Sequence, residues 1–93
     1  MKYEIFRTPR FKKQYKFAIK RGLPKEALIY VIEKLADDIP LEEKYHDHEL
    51  SGNLKGIREC HIRPDWLLEY QKDNKKLILT LIATGSHSDL FKK

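Results

Sequence analysis

Pro64 is the residue that most limits what this 93-residue chain can fold into. Proline has no N–H to give to a sheet ladder and pushes the preceding residue, Arg63, toward extended geometry, so a strand arriving there must stop or turn. Before it, the run Gly56–Ile62 alternates, with Arg58 and Cys60 facing one way and Glu59 and His61 the other. After it, Trp66–Tyr70 resumes as a strand rich in large side chains. Asp73-Asn74 then signals a turn, making 66–72 and 76–83 a hairpin, and the nearly continuous apolar run Leu77–Ile82 predicts a strand covered on both faces. The corner places a guanidinium, an imidazole, a carboxylate and an indole within nine residues, more chemistry than a simple connection needs.

The N-terminal half supplies helices. Tyr3-Glu4-Ile5-Phe6 is a short strand candidate ended by Thr8-Pro9, a helix-capping residue followed by the proline that suits a first turn. Phe11, Tyr15, Ala18 and Ile19 fall at helical spacing, with lysines on the remaining surface and Gly22 as C-terminal cap. Leu23-Pro24 opens a second helix reaching to about Asp37, with Ala27, Leu28, Val31, Ile32 and Leu35 as its core stripe. A polar connection, 42–55, follows, and Thr84-Gly85-Ser86 breaks the last strand before the terminal segment. The order strand, helix, helix, three strands predicts one α+β domain over 1–93. Its sheet is mostly antiparallel and packs against a helical hairpin.

Composition bounds the function. Cys60 is the single cysteine, so neither an internal disulfide nor a cysteine cluster for zinc is available, which suits a reducing cytoplasm. No apolar run is long enough to span a membrane or to act as a secretory signal. The net charge of +5 favours a polyanionic partner, nucleic acid or acidic protein, although a solvated lysine-rich surface explains the same number.

Three histidines, His48, His61 and His87, lie in the connection, at the end of the first C-terminal strand and in the terminal segment, accompanied by Asp65, Trp66 and Phe91. Cleaving RNA without a metal requires a base for the ribose 2′-hydroxyl, an acid for the departing 5′-oxygen and cationic donors for the phosphate. Histidine is the side chain best matched to both proton transfers near neutral pH. Lys55 and Arg58 are candidate phosphate contacts, and Trp66 and Phe91 are candidate stacking platforms. Each piece also has a plainer reading: surface histidines, core aromatics, a carboxylate closing a turn. His46-x-His48 with His61 or Asp65 is an alternative metal set, since mixed histidine and carboxylate ligands suit zinc, but no compact spacing such as H-E-x-x-H is present, and no metal or cofactor is assigned.

Three blocks carry a resemblance. Tyr45-His46-Asp47-His48-Glu49-Leu50-Ser51-Gly52, Gly56-Ile57-Arg58-Glu59-Cys60-His61-Ile62-Arg63-Pro64-Asp65-Trp66 and Thr84-Gly85-Ser86-His87-Ser88-Asp89-Leu90-Phe91 resemble, in order and spacing, the signature blocks of YafQ-type mRNA interferase toxins of the RelE/ParE superfamily. The resemblance implies a RelE-like fold and a small cytoplasmic toxin that cleaves mRNA in the ribosomal A site without a metal. It also implies neutralisation by a DinJ- or RelB-like antitoxin, with operator DNA met only through the antitoxin complex. Carried over, the active residues are His48, His61, Asp65 and His87, with Trp66 and Phe91 lining the site. The resemblance makes His87 the general acid, leaves Asp65 and His48 competing as base, and lets His61 either orient a partner or donate to phosphate. Many relatives carry arginine where this chain has Ala83, so the phosphate would draw on Arg58, Arg63, Lys55 or ribosomal groups. Two other functions compete: a ParE-like toxin that acts by binding alone, and a nucleic-acid-binding regulatory module acting with its antitoxin.

Overall fold

The structure, a computed structural model, describes residues 1–91. Strand β1 (Glu4–Arg7) leads into helices α1 (Pro9–Lys20) and α2 (Lys25–Ala36). The two-residue strand β2 (His48–Glu49), then β3 (Arg58–Arg63), β4 (Trp66–Asp73) and β5 (Ile78–Gly85), and the short helix α3 (His87–Leu90) follow. The sheet has the order β1-β5-β4-β3-β2; β1 runs parallel to β5 and the remaining pairs are antiparallel. This is the α+β arrangement the sequence predicts, with a fifth strand drawn from the polar connection. That connection holds two single 3₁₀ turns, Glu43–Tyr45 and Gly52–Leu54, and pairs His48 and Glu49 with the outer edge of β3.

Local chemistry explains the boundaries. Thr8 caps α1: its hydroxyl oxygen accepts from the Phe11 N–H at 3.0 Å and its O–H donates to the Ile82 carbonyl at 2.8 Å, so one side chain starts the helix and ties it to β5. Pro9 occupies the first turn, where its missing N–H costs nothing. The Lys2 and Tyr3 N–H groups both donate to the Ala36 carbonyl, fastening the N-terminus to the end of α2. The core forms from Phe11 and Ala18 of α1, Leu28, Val31, Leu35 and Ala36 of α2, and Cys60, Ile62, Trp66, Leu68, Tyr70, Leu79 and Leu81 of the sheet. Burial pushes the Cys60 thiol well above its ordinary range, so it serves as a small apolar group.

β5 departs from expectation twice. Its residues alternate between buried and half-buried at Ile78–Leu81, so the second face is only partly covered there. It also continues through Thr84-Gly85, where a break was expected. The register shifts between Glu69 and Tyr70, leaving Ile82 as the extra residue, and Ala83, Thr84 and Gly85 go on pairing with Glu69, Leu68 and Leu67. The shift turns Ala83 and Gly85 to the face opposite the core and Thr84 toward it.

Candidate active site

On the face opposite the core, two cross-strand rows build the floor of a site. His48, Glu59, Glu69 and Ala83 are successive partners across β2, β3, β4 and β5, and His61, Leu67 and Gly85 form the neighbouring row. The 43–45 turn packs on β3 and α3 packs on β5. The terminal segment thus folds back over the floor as a short helix, an element not foreseen in the sequence. Its signal is Ser86-x-x-Asp89: the Ser86 hydroxyl accepts from the Asp89 N–H at 3.1 Å while Asp89 Oδ2 accepts from the Ser86 N–H at 3.0 Å. Gly85 is required just before it, because a Cβ there would lie 2.9 Å from Asp89 Cβ and 3.0 Å from its carboxylate.

This fold-back places His87 over the Pro64 corner. Asp65 Oδ1 accepts from the His87 backbone N–H at 2.9 Å and sits 2.6 Å from ring atom Nδ1. The backbone N–H and then the imidazole hold the Asp65 carboxyl below the usual carboxylate range. With Nδ1 engaged, Nε2 is the ring nitrogen left to a reacting group. The His61 ring stands edge-on to that of His87 at 5.6 Å between centroids, and to that of His46 at 5.4 Å. Burial lowers the His61 pKa; Glu59 opposes this, and the surrounding histidines add to it.

His48 completes the cluster at the sheet edge. Its Nδ1 lies 2.7 Å from the His46 carbonyl, an acceptor, so Nδ1 carries a proton and donates it. His46 adopts the left-handed backbone conformation, with φ 48° and ψ 47°, which turns the chain into β2. The Glu59 carboxylate lies beneath: Oε1 is 3.6 Å from His48 Nε2 and 4.0 Å from His61 Nε2, while Oε2 is buried with no hydrogen-bond partner among the described residues. Glu59 belongs to this constellation although the sequence did not mark it as a site residue, and His46, which the sequence offers only as a member of an alternative metal set, joins it through its ring contact with His61. The alternation along β3, which puts Glu59 on the His61 side, was the available signal.

Four of the expected site residues, His48, His61, Asp65 and His87, therefore gather on one face. Others do not. Trp66 is 1% exposed, and its indole N–H donates to Thr84 Oγ1 at 3.0 Å, so it supports the site from the core side and offers no face to a base. Arg58 alternates to the core side of β3, where Nε donates to the Tyr70 hydroxyl at 3.2 Å and pairs with Asp47 at 3.4 Å. Lys55 is exposed in the connection between β2 and β3. Arg63 is better placed: with Lys44, Tyr45, His46, His61 and Pro64 it lines a groove of about 630 Å³. A second groove, of about 700 Å³, lies along α1 and is lined by Arg10, Lys13, Lys16, Lys20 and Arg21 together with Gly85 and Asp89. Phe91, 38% exposed, follows α3. Among the described residues no three His, Cys, Asp or Glu side chains are grouped to share a metal ion, and no helix is long and apolar enough to cross a membrane.

The arrangement can give and take protons. One exposed imidazole is oriented by a carboxylate, and a second, partly desolvated imidazole stands beside it, between cationic grooves.

Comparison with known proteins fits this geometry. Residues 3–92 match the model of the family described as bacterial toxin of type II toxin–antitoxin system, YafQ. The mRNA interferase toxin YafQ of Escherichia coli K12 is 37% identical over 89 residues, covering 95% of each chain. In the crystal structure of the E. coli DinJ–YafQ complex, a matching chain superposes with a TM-score of 0.88 at 34% identity, over 96% of this chain and 98% of that one. A metal-bound toxin from Helicobacter pylori superposes with a TM-score of 0.91 at 43% identity, over 96% and 99%.

Proposed function

The chain belongs to the YafQ family of type II toxin–antitoxin toxins, and from that membership we propose that it is an endoribonuclease cleaving mRNA in the ribosomal A site by metal-independent acid–base catalysis. The observation that carries the reading is the Asp65–His87 pair, 2.6 Å apart, with the His61 ring 5.6 Å from that of His87. Asp65 orients rather than abstracts, because its Oδ1 is occupied by two donors from His87. His61 takes the proton of the ribose 2′-hydroxyl; desolvation keeps it neutral and available as a base. The 2′-oxygen attacks phosphorus, the bond to the 5′-oxygen breaks, and His87 Nε2 gives that oxygen its proton. The products are a 2′,3′-cyclic phosphate and a 5′-hydroxyl. Arg63 and the cations along α1 flank the site and suit the phosphates on either side. Lys55 is a more distant phosphate contact, and Phe91 is the aromatic that packs beside a base. A toxin acting by binding alone has no need of this proton-transfer set.

The partner that restrains it is a DinJ-like antitoxin, by analogy with the E. coli complex; operator DNA is reached through that partner, and the site of action is the cytoplasm, where ribosomes are. The ribosome supplies the in-line alignment of the ribose that this shallow face lacks, and such positioning can be worth about 7–11 kcal/mol of a barrier. The test compares programmed ribosomes with free transcript at matched toxin and low salt. Cleavage on ribosomes at least about 100-fold faster is expected, since even a fraction of that alignment energy gives as much. Equal rates would overturn the ribosome requirement.

A further inference from the structure

Glu59 and Glu69 are directly opposed on β3 and β4, with residual exposures of 5% and 7%. Carboxyl groups in such a pair stand about 4.5–5.5 Å apart at Cβ, and two like charges opposed there are destabilising. The row offers no cation to separate them, because the next partner after Glu69 is Ala83. Two charged groups face Glu69: Glu59 from β3 and, from α1, Arg10, which only partly offsets the burial that raises the Glu69 pKa, to which Glu59 adds. Glu59 in turn faces His48 from β2 and His61 on its own strand through Oε1, while its buried Oε2 lacks a donor among the described residues. A buried carboxylate oxygen without a donor is costly, and a protonated carboxyl across the strand is the nearest chemical remedy.

We propose that Glu69 is a positioning residue of this site: it holds a proton shared with Glu59 across the strand, so that the pair carries one negative charge and Glu59 Oε1 stays turned to His48 and His61. Two consequences bear on the cleavage reading, on which the role assigned here rests. The floor presents a single anion beneath the incoming phosphate instead of two. The shared proton also draws charge from Glu59, so Glu59 raises the basicity of His61 less, and His61 remains the neutral base. Glu69 acts through Glu59 and touches no reacting atom.

The test needs no RNA for its first arm. NMR titration of the glutamate carboxyl carbons and histidine rings is compared in the intact wild-type protein, E69Q and E69M. Glutamine keeps a donor for Glu59, whereas methionine keeps the volume and removes it. The wild-type pair is expected to take up its first proton at a higher pH than an unperturbed glutamate, whose ordinary value is ~4.3. E69Q should leave the His61 midpoint where it is, and E69M should raise it by about half a unit or more, since an uncompensated Glu59 favours the imidazolium. In the second arm, cleavage on ribosomes at pH 7 should be near wild type for E69Q and several-fold lower for E69M, recovering as pH rises. Indistinguishable His61 titrations in E69Q and E69M, or two ordinary glutamate titrations in the wild type, would overturn the proposal. If all three proteins titrate as expected yet none cleaves RNA, the shared proton stands and the nuclease reading fails.

Discussion

Strands β3, β4 and β5 present two faces made from alternate residues of the same segments, and the faces are built to different ends. Toward the helices, Cys60, Ile62, Leu68, Tyr70, Leu79 and Leu81 fill a dry core in which no member needs a partner beyond its neighbours' methyl groups, apart from the Tyr70 hydroxyl. Toward α3, the intervening positions carry Glu59, His61, Glu69 and Ala83, and two of these are carboxyls buried against each other. A side-chain period of two lets one strand serve both. The core face supplies the burial that tolerates a polar floor on the other side, and the polar floor gives up stability for a cluster of proton-transfer groups. Changes on the two faces should therefore separate cleanly into losses of cleavage and losses of stability.

The strongest way to break that separation is His87→Gln. If His87 is the general acid, cleavage on ribosomes should fall by about 10²–10⁴-fold, while the thermal midpoint and antitoxin binding stay at wild-type values. A matching fall in stability would show that His87 is structural. The converse change is Leu68→Ala on the core face, where Leu68 is fully buried. Urea unfolding should report a loss of about 2–5 kcal/mol, with the rate per folded molecule unchanged. Thr84→Val sharpens the comparison by straddling the faces: the hydroxyl accepts from Trp66 and donates to the Leu67 carbonyl at 2.7 Å. Losing it should cost about 1–3 kcal/mol of stability and lower cleavage by a smaller factor than His87→Gln, because α3 starts three residues later.

The smallest expected effect is one of pH. Because the folded Asp65 pKa lies below its unfolded value, its contribution to docking α3 is present above the ordinary value of about 3.9 and is lost as pH falls through the lowered one. Hydrogen exchange at the His87 amide should accelerate over that acidic window in wild type. In Asp65→Asn, which has no such titration, the acceleration should be absent.

Much of this division was legible in the sequence. Alternation along 56–62 put Glu59 and His61 on one side and Arg58 and Cys60 on the other, and helical spacing in 9–36 identified the residues that cover the core. What escaped depended on pairings between distant segments. The two-residue strand at His48 exists only because β3 has an open edge, and no local pattern announces it. The irregularity at Ile82 re-aims Ala83, Thr84 and Gly85, which decides that Trp66 hydrogen bonds inward to Thr84 instead of offering a stacking surface. Arg58 suits a phosphate by its type and neighbourhood, yet the Tyr70 and Asp47 acceptors it meets come from β4 and the connection before β2. The capping pair Ser86 and Asp89 is a local signal, but an aspartate stands where glutamate or glutamine is the familiar partner.

The central claim, that two imidazoles on the polar face pass protons while the neighbouring ribose 2′-hydroxyl attacks, is tested most directly by the chemistry of the cut end. Toxin is allowed to cleave mRNA on ribosomes and the 3′ end of the upstream fragment is determined. The account predicts a 2′,3′-cyclic phosphate or its 3′-phosphate hydrolysis product, with a 5′-hydroxyl on the downstream fragment. A 3′-hydroxyl end would mean attack by water with the 3′-oxygen leaving, as metal-assisted nucleases commonly do, and would contradict the roles given to His61 and His87.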